Sequence, residues 1–163
     1  MPKHSLKICW FHIIWSTKNR IPFFQDKKKC VQVTKIIKNI CLENNIYFKI
    51  GHINPEHIHI LVDLPVDLTI KRMMQLIKGI SSHTINESLM FKQKFSWARG
   101  YAAFSVSESQ LDKVIHYIKN QDEHHRRMSF REEWELFCRK YLETVKTVKV
   151  ATSSKIPPDE SGG

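Results

Sequence analysis

With 163 residues, 42% of them hydrophobic and 26% charged, the chain has the size and make-up of one soluble globular domain. Its 26 Lys and Arg against 16 Asp and Glu leave a formal charge of +10, which favours a polyanionic partner, nucleic acid first and an anionic membrane surface second. Four scattered cysteines without a C-x-x-C spacing argue for reduced thiols, and the apolar run from Ile8 to Trp15 is too short for a membrane span, contains His12 and is followed by no cleavage site, so the chain is expected in the cytoplasm.

Leu6 to Trp15, rich in Ile, Phe and Trp, reads as a first buried strand, broken by Ile21-Pro22-Phe23-Phe24. Asp26 is placed to cap a helix running to about Asn44, with Val33, Ile36, Ile37 and Ile40 on its apolar side. Ile46 to Ile53 and His57 to Leu64 read as two strands joined through Asn54-Pro55-Glu56, most naturally a hairpin. Pro65 and Asp67 stop the third strand. A second helix is expected from Leu68 to about Ile80, burying Met73, Met74, Leu76 and Ile77. Residues 81–100 are less regular: Ser81, Ser82 and Asn86 read as caps or interruptions, and Phe91, Phe95 and Trp97 alternate with Lys92, Lys94 and Arg99.

Ala102 to Val106 reads as a fourth strand, Ser107 or Ser109 as the cap of a helix through about Asn120, and Glu132 to about Val145 as a last helix. Residues 147–163 turn to Ser, Pro, Gly and charge and read as a disordered tail, leaving 1–146 as the domain. The order β-α-β-β-α-β is that of the ferredoxin-like (RRM-like) α+β fold, with a four-stranded antiparallel sheet backed by helices on one face. A further helix, added after the sheet is complete, then carries Tyr117.

Two spacings carry chemistry. In His57-Ile58-His59 alternate strand residues share a face, so two imidazoles can aim at one metal ion. In Tyr117-x-x-x-Gln121 residues four apart on a helix share a face, so a phenol and an amide oxygen can sit side by side. Together they can form a metal-assisted site for phosphodiester cleavage with a tyrosine nucleophile. Taken singly, each has a plainer reading: strand histidines packed under a helix, a core tyrosine, a solvated glutamine. His124 is a rival third ligand, with His125-Arg126-Arg127 beside it as a solvated run or phosphate contact. Tyr101 is a rival nucleophile, and His116 faces away from Tyr117.

The chain resembles the single-tyrosine HUH transposases of small bacterial insertion sequences, including their relatives associated with repetitive palindromic elements. The resemblance rests on His57-Ile58-His59, on Trp97-x-x-Gly100-Tyr101-x-Ala103-Phe104-Ser105-Val106-Ser107, and on Tyr117-Ile118-x-x-Gln121-x-Glu123-His124-His125, in that order over roughly residues 5–143. It implies a homodimer that cuts and rejoins single-stranded DNA at hairpin-bearing element ends through a 5′-phosphotyrosine. Carried over, His57, His59 and Gln121 become metal ligands and Tyr117 the nucleophile. A neutral N/O donor set suits Mg²⁺ or Mn²⁺. A free phenol titrates near about 10, so Tyr117 needs activation, for which the metal, Lys113 and Lys119 are candidates. Lys71, Arg72 and Lys78 on the second helix, with Lys92, Lys94, Trp97 and Arg99, are the expected DNA contacts. A non-catalytic single-strand binding module is the competing class, against which the strands carry no RNP-type aromatic signature. A transposase-like protein turned to host DNA is a further alternative.

Overall fold

The computed structural model describes residues 6–144. Four strands, β1 (Trp10–Ser16), β2 (Tyr47–Ile53), β3 (His57–Asp63) and β4 (Ala102–Val106), form one sheet in the order β2-β3-β1-β4. Every neighbouring pair is antiparallel. Helices α1 (Lys27–Glu43) and α2 (Ile70–Glu87) form the crossovers, and α3 (Leu111–Lys119), α4 (Gln121–His125) and α5 (Phe130–Thr144) follow the last strand. This is the ferredoxin-like arrangement, with β1 and β3 in the centre.

Alternation along the two central strands divides the molecule into two faces. Ile13, Trp15, Ile58, Ile60 and Val62 point one way, into a core completed by Val33, Ile37 and Ile40 of α1 and by Met73, Met74 and Ile77 of α2. A smaller cluster on the other face joins Ile14 to Phe130 and Trp134, with Phe104 and Phe137 packed against it. As expected, α1 and α2 back one face, the apolar one, and of the helices added after the sheet α5 packs over the face that carries the paired histidines.

Local chemistry explains where the elements begin and end. The Asp26 side chain accepts from the Lys28 N–H, capping α1 as its sequence suggests. β1 starts at Trp10 instead of Leu6, and Leu6 and Ile8 stay exposed. α2 runs two turns past Ile80 because its hydroxyls bond back to the helix rather than breaking it: Ser82 Oγ donates to the Gly79 carbonyl (3.1 Å) and Thr84 Oγ1 to that of Ile80 (2.9 Å). Neither Ser107 nor Ser109 caps α3; their hydroxyls meet each other at 3.1 Å, and a 3-10 turn over Glu108–Gln110 leads into the helix. α5 opens with a capping box, in which the Ser129 N–H donates to Glu132 Oε2 (2.7 Å) and the Glu132 N–H to Ser129 Oγ (3.3 Å). The hairpin between β2 and β3 is tied down by the Thr17 N–H to the Glu56 carbonyl (2.8 Å) and the Phe24 N–H to that of Pro55 (3.0 Å), which fixes the level at which His57 enters the sheet. The expected tail, 147–163, lies outside the described residues.

Candidate metal and tyrosine site

The β3 pleat brings His57 and His59 to one face, and both are fully buried. Each has its Nδ1 occupied from behind. Glu56 Oε1 lies 2.9 Å from His57 Nδ1, and with a carboxylate as acceptor that nitrogen carries the proton. His12, on the neighbouring β1, sets its Nε2 2.9 Å from His59 Nδ1. The tautomer in which His59 donates to His12 leaves the Nε2 lone pair of His59 directed away from the strand. A partner on one ring nitrogen that orients the other is the usual support for a metal-ligating histidine.

Beyond the two Nε2 atoms stands Glu133 of α5, only 2% exposed. Its carboxylate oxygens lie 3.4 Å from His59 Nε2, 3.5 Å from His57 Nε2 and 3.1 Å from His125 Nε2. One ligand atom from each of His57, His59, His125 and Glu133 falls within 4.8 Å of the others. Gln121 is fully buried beside them: its Oε1 accepts from Asn54 Nδ2 (3.2 Å) and lies 3.0 Å from His125 Nε2, and its Nε2 donates to the Tyr117 carbonyl (3.3 Å) and to Glu133 Oε1 (3.4 Å).

The donor set fits a divalent cation. His59 Nε2 and Glu133 Oε2 are buried with no hydrogen-bond partner, a cost that a shared cation removes. Burial lowers the proton affinity of His59 to about 4 and that of His125 to about 4, so both present neutral lone pairs. Burial opposes the charge on Glu133, but the His57 and His59 imidazoles beside it outweigh that and take the carboxyl down to about 2. At His57 burial pulls downward while Glu133 and Glu56 prevail and raise its proton affinity.

Tyr117 reaches the same pocket from α3. Its hydroxyl is buried and unpartnered. Its ring stands edge-on to His59 (5.8 Å between centroids), His12 (6.0 Å), Phe137 (5.6 Å) and His124 (4.7 Å). The helix carrying Tyr117 and Gln121 is not continuous: α3 ends at Lys119, and Asn120 (φ −98°, ψ 23°) turns the chain into α4. Gln121 is nevertheless held one turn from the tyrosine by its side-chain bond to the Tyr117 carbonyl.

The rival assignments separate cleanly. His125 joins the ligand group, whereas His124 lies against the Tyr117 ring. Tyr101 packs against the core on the opposite face. His116 is exposed and pairs with Asn120 at 2.9 Å. Lys113 and Lys119 are exposed, and the rings recorded around the phenol are histidines and a phenylalanine.

The expected DNA contacts lie elsewhere. Lys71 and Arg72 are exposed on α2, across the sheet from the histidines, and Lys92, Lys94 and Arg99 are exposed in the segment that follows. Lys78 donates to the carbonyls of Arg99 (2.8 Å) and Gly100 (3.1 Å), and its burial lowers the ammonium to about 8. Trp97 corrects the reading as a base-stacking platform. It is 8% exposed, rests against Trp15 and Phe95, and donates its Nε1–H to Ser81 Oγ at 2.9 Å, so its faces are already covered.

Glu133, His125, Glu56, Asn54 and His12 were not picked out as site residues from the sequence. A signal existed for the first: Phe130, Glu133, Trp134, Phe137 and Cys138 form an i, i+3, i+4, i+7, i+8 stripe with one carboxylate in an otherwise apolar face.

The molecule is thus a ferredoxin-like α+β protein whose central strand presents His-x-His beneath a tyrosine-bearing helix. The profile of the family "Transposase IS200 like" matches residues 5–121. The chain belongs to that family, which makes it a transposase and a DNA strand transferase. It is similar to the transposases for insertion sequence element IS200 of Salmonella typhimurium and Salmonella typhi, each 27% identical over 124 residues that span 72% of this chain and 80% of theirs. Among solved structures it is similar to a proposed transposase of Deinococcus radiodurans (TM-score 0.60, 22% identity, 74% of this chain and 96% of that one). A REP-associated tyrosine transposase bound to a REP hairpin shares the fold as well (TM-score 0.57, 15% identity, 77% and 74%). Among the described residues, no helix is long and apolar enough to cross a membrane.

Proposed function

We propose that this transposase cuts and rejoins single-stranded DNA at hairpin-bearing element ends, acting as a homodimer on DNA in the cytoplasm, with Tyr117 as its nucleophile. The observation that carries this reading is the buried, unpartnered Tyr117 hydroxyl in the pocket of His57 and His59, where His59 Nε2 is also unpartnered. His57, His59 and Gln121 would hold a divalent metal, Mg²⁺ or Mn²⁺ by the neutral character of that set. Once bound, the ion supplies a Lewis acid for the phosphate.

The chain's own residues do the rest. Glu56 and His12 hold the two imidazoles in register. Tyr117 Oη attacks phosphorus, the bond to the 3′ oxygen breaks, and a 5′-phosphotyrosine and a free 3′-OH result. A 3′-OH from a second strand reverses the step, so the phosphodiester energy is conserved and no nucleotide cofactor is consumed. The phenolic proton has His124 nearby, a ring only partly buried and so in exchange with water. The hairpin in the REP-associated structure supports a structured single strand as substrate, and the +10 charge supports a polyanion.

The test is a covalent-adduct assay with single-stranded DNA from both flanks of the gene, in Mn²⁺, read on a denaturing gel. A shifted band absent with Tyr117→Phe and with EDTA is expected. Adduct formation by Tyr117→Phe would remove the nucleophile assignment. Tight binding with no adduct on any flank would favour a non-catalytic binding module.

A further inference from the structure

We propose that Glu133, with His125, belongs to the metal centre itself, so that the chain offers three imidazoles and a carboxylate to a transition-metal dication. This deepens the metal reading above and rests on it. Both residues lie beyond Gln121, where the family match ends.

Geometry is the first support. A charge-assisted hydrogen bond between an imidazole and a carboxylate spans about 2.7–2.9 Å. Glu133 instead stands 3.1, 3.4 and 3.5 Å from three imidazole nitrogens, close to all and bonded tightly to none. Donors about 2.0–2.2 Å from one cation lie about 2.8–3.6 Å from each other in octahedral or tetrahedral geometry, and the separations of Glu133 Oε2 from His57 and His125 and of its Oε1 from His59 fall in that window.

Burial is the second support. A carboxylate 2% exposed on an apolar helix face is costly unless its charge is met. The ion-pair partners recorded for Glu133 are His57, His59 and His125. A single protonated imidazole, His57 or His125, would answer Glu133 Oε2 and still leave His59 Nε2 unmet; a shared dication answers all of them.

Placement is the third. The Ser129–Glu132 capping box sets the start of α5, and Phe130 stacks on His57 with 4.2 Å between ring centroids and 24° between planes. Glu133 is held at the pocket by a helix seated on both sides of it, with Trp134 in the apolar cluster.

Three imidazoles and one carboxylate shift the metal preference. Mg²⁺ prefers oxygen and dehydrates reluctantly, and Mn²⁺ shares much of that preference, whereas imidazole suits the later first-row dications such as Fe²⁺, Ni²⁺ and Zn²⁺. The preference therefore moves from the Mg²⁺ or Mn²⁺ of a histidine–glutamine set toward a later transition-metal dication.

Co²⁺ titration of the full-length, metal-stripped protein tests this, read by the visible d–d spectrum and by competition with a chromophoric chelator, in parallel with His57→Ala, Glu133→Gln and Glu133→Cys. The native chain is expected to bind one Co²⁺ that millimolar Mg²⁺ does not displace. Glu133→Gln should weaken binding by at least about 10-fold, the lower limit of what loss of a mere supporting partner costs. Glu133→Cys should add a thiolate-to-cobalt charge-transfer band that the native chain lacks; this positive signal keeps the test open should Glu133→Gln misfold. Native affinity in Glu133→Gln, or no new band in a folded Glu133→Cys that binds Co²⁺, overturns the assignment of Glu133 while His57→Ala still reports on the underlying centre. Failure of the native chain to bind Co²⁺, or unchanged binding by His57→Ala, overturns the metal reading and this inference with it.

Discussion

The two faces of the sheet solve different problems with the same strands. Toward α1 and α2, β1 and β3 send Ile13, Trp15, Ile58, Ile60 and Val62, and the result is an apolar core. Toward α5 they send His12, His57 and His59, which with Gln121 and Glu133 are buried at 5% exposure or less. Each fully buried aliphatic side chain stabilises a fold by about 1.5–3 kcal/mol, whereas buried polar and charged groups stabilise little unless every one is partnered. Burying so many titratable groups on one face makes sense as chemistry, because folding would be better served by leucines. The apolar face supplies the main core, and the histidine face carries the groups that could hold a metal ion beside a smaller apolar cluster.

The largest effect should come from Ile60→Ala. Removing a fully buried side chain from the apolar face should cost about 2–5 kcal/mol in denaturant unfolding of metal-free protein, while the metal affinity of the folded fraction stays native. A loss under about 1 kcal/mol would mean the two faces do not divide the labour in this way.

Next is Glu56→Ala, which leaves the apolar face alone and removes the acceptor behind His57. Metal affinity should fall about 10–100-fold, and ¹⁵N NMR should show the neutral His57 ring losing its preference for the Nδ1–H tautomer. Glu56→Gln, which keeps an acceptor oxygen, should recover much of the affinity. Equal losses in both variants would assign Glu56 to general stability instead of positioning.

A smaller effect is acid sensitivity of the histidine face. Burial lowers the proton affinity of His12 to about 3, and that of His59 and His125 each to about 4, from 6.5. The unfolded chain binds more protons across that interval, so stability falls as pH drops from about 6.5 toward about 4. His57 acts oppositely: its raised proton affinity stabilises the fold below 6.5, and that contribution fades as pH rises through the folded value. His52, opposite His59 in the sheet, is lowered as well, chiefly by burial, so four lowered histidines against one raised leave a net loss in acid. Thermal melts of EDTA-treated protein should show a lower Tm at about pH 5 than at about pH 7.5, and an unchanged or higher Tm would contradict the burial of these rings as neutral groups.

The smallest effect belongs to Lys71→Ala, on α2 and across the sheet from the site. It should leave adduct formation at saturating DNA and metal affinity unchanged, and reduce the log–log salt dependence of DNA binding by about 0.7–0.9 if Lys71 meets a phosphate. A change in metal affinity would break the separation of the faces.

Much of this was readable along the chain because it depends on neighbours in sequence. Asp26 caps α1 through a bond to Lys28, two residues away, and β4 falls over Ala102–Val106 because five apolar or small residues end at a serine-rich turn. His57-x-His59 shares a face because any strand has period two. The misreadings are as local in origin. Ser81 and Ser82 look like breakers until their hydroxyls find partners, one of which is the Nε1–H of Trp97, sixteen residues on. Trp97 looks like a stacking platform among lysines until Trp15 and Phe95 cover it.

The amino-acid sequence by itself determined the order of the elements, the pairing of two histidines on one strand face and the family, since periodicity, caps and motif spacing are properties of contiguous residues. Tertiary structure alone decided what those histidines look at. Glu133 lies 76 residues from His57 and His12 lies 47 from His59, and no spacing rule spans such gaps. Only the β2-β3-β1-β4 order, which sets β1 beside β3, and the packing of α5 across that face bring a ring behind one imidazole and a carboxylate in front of both.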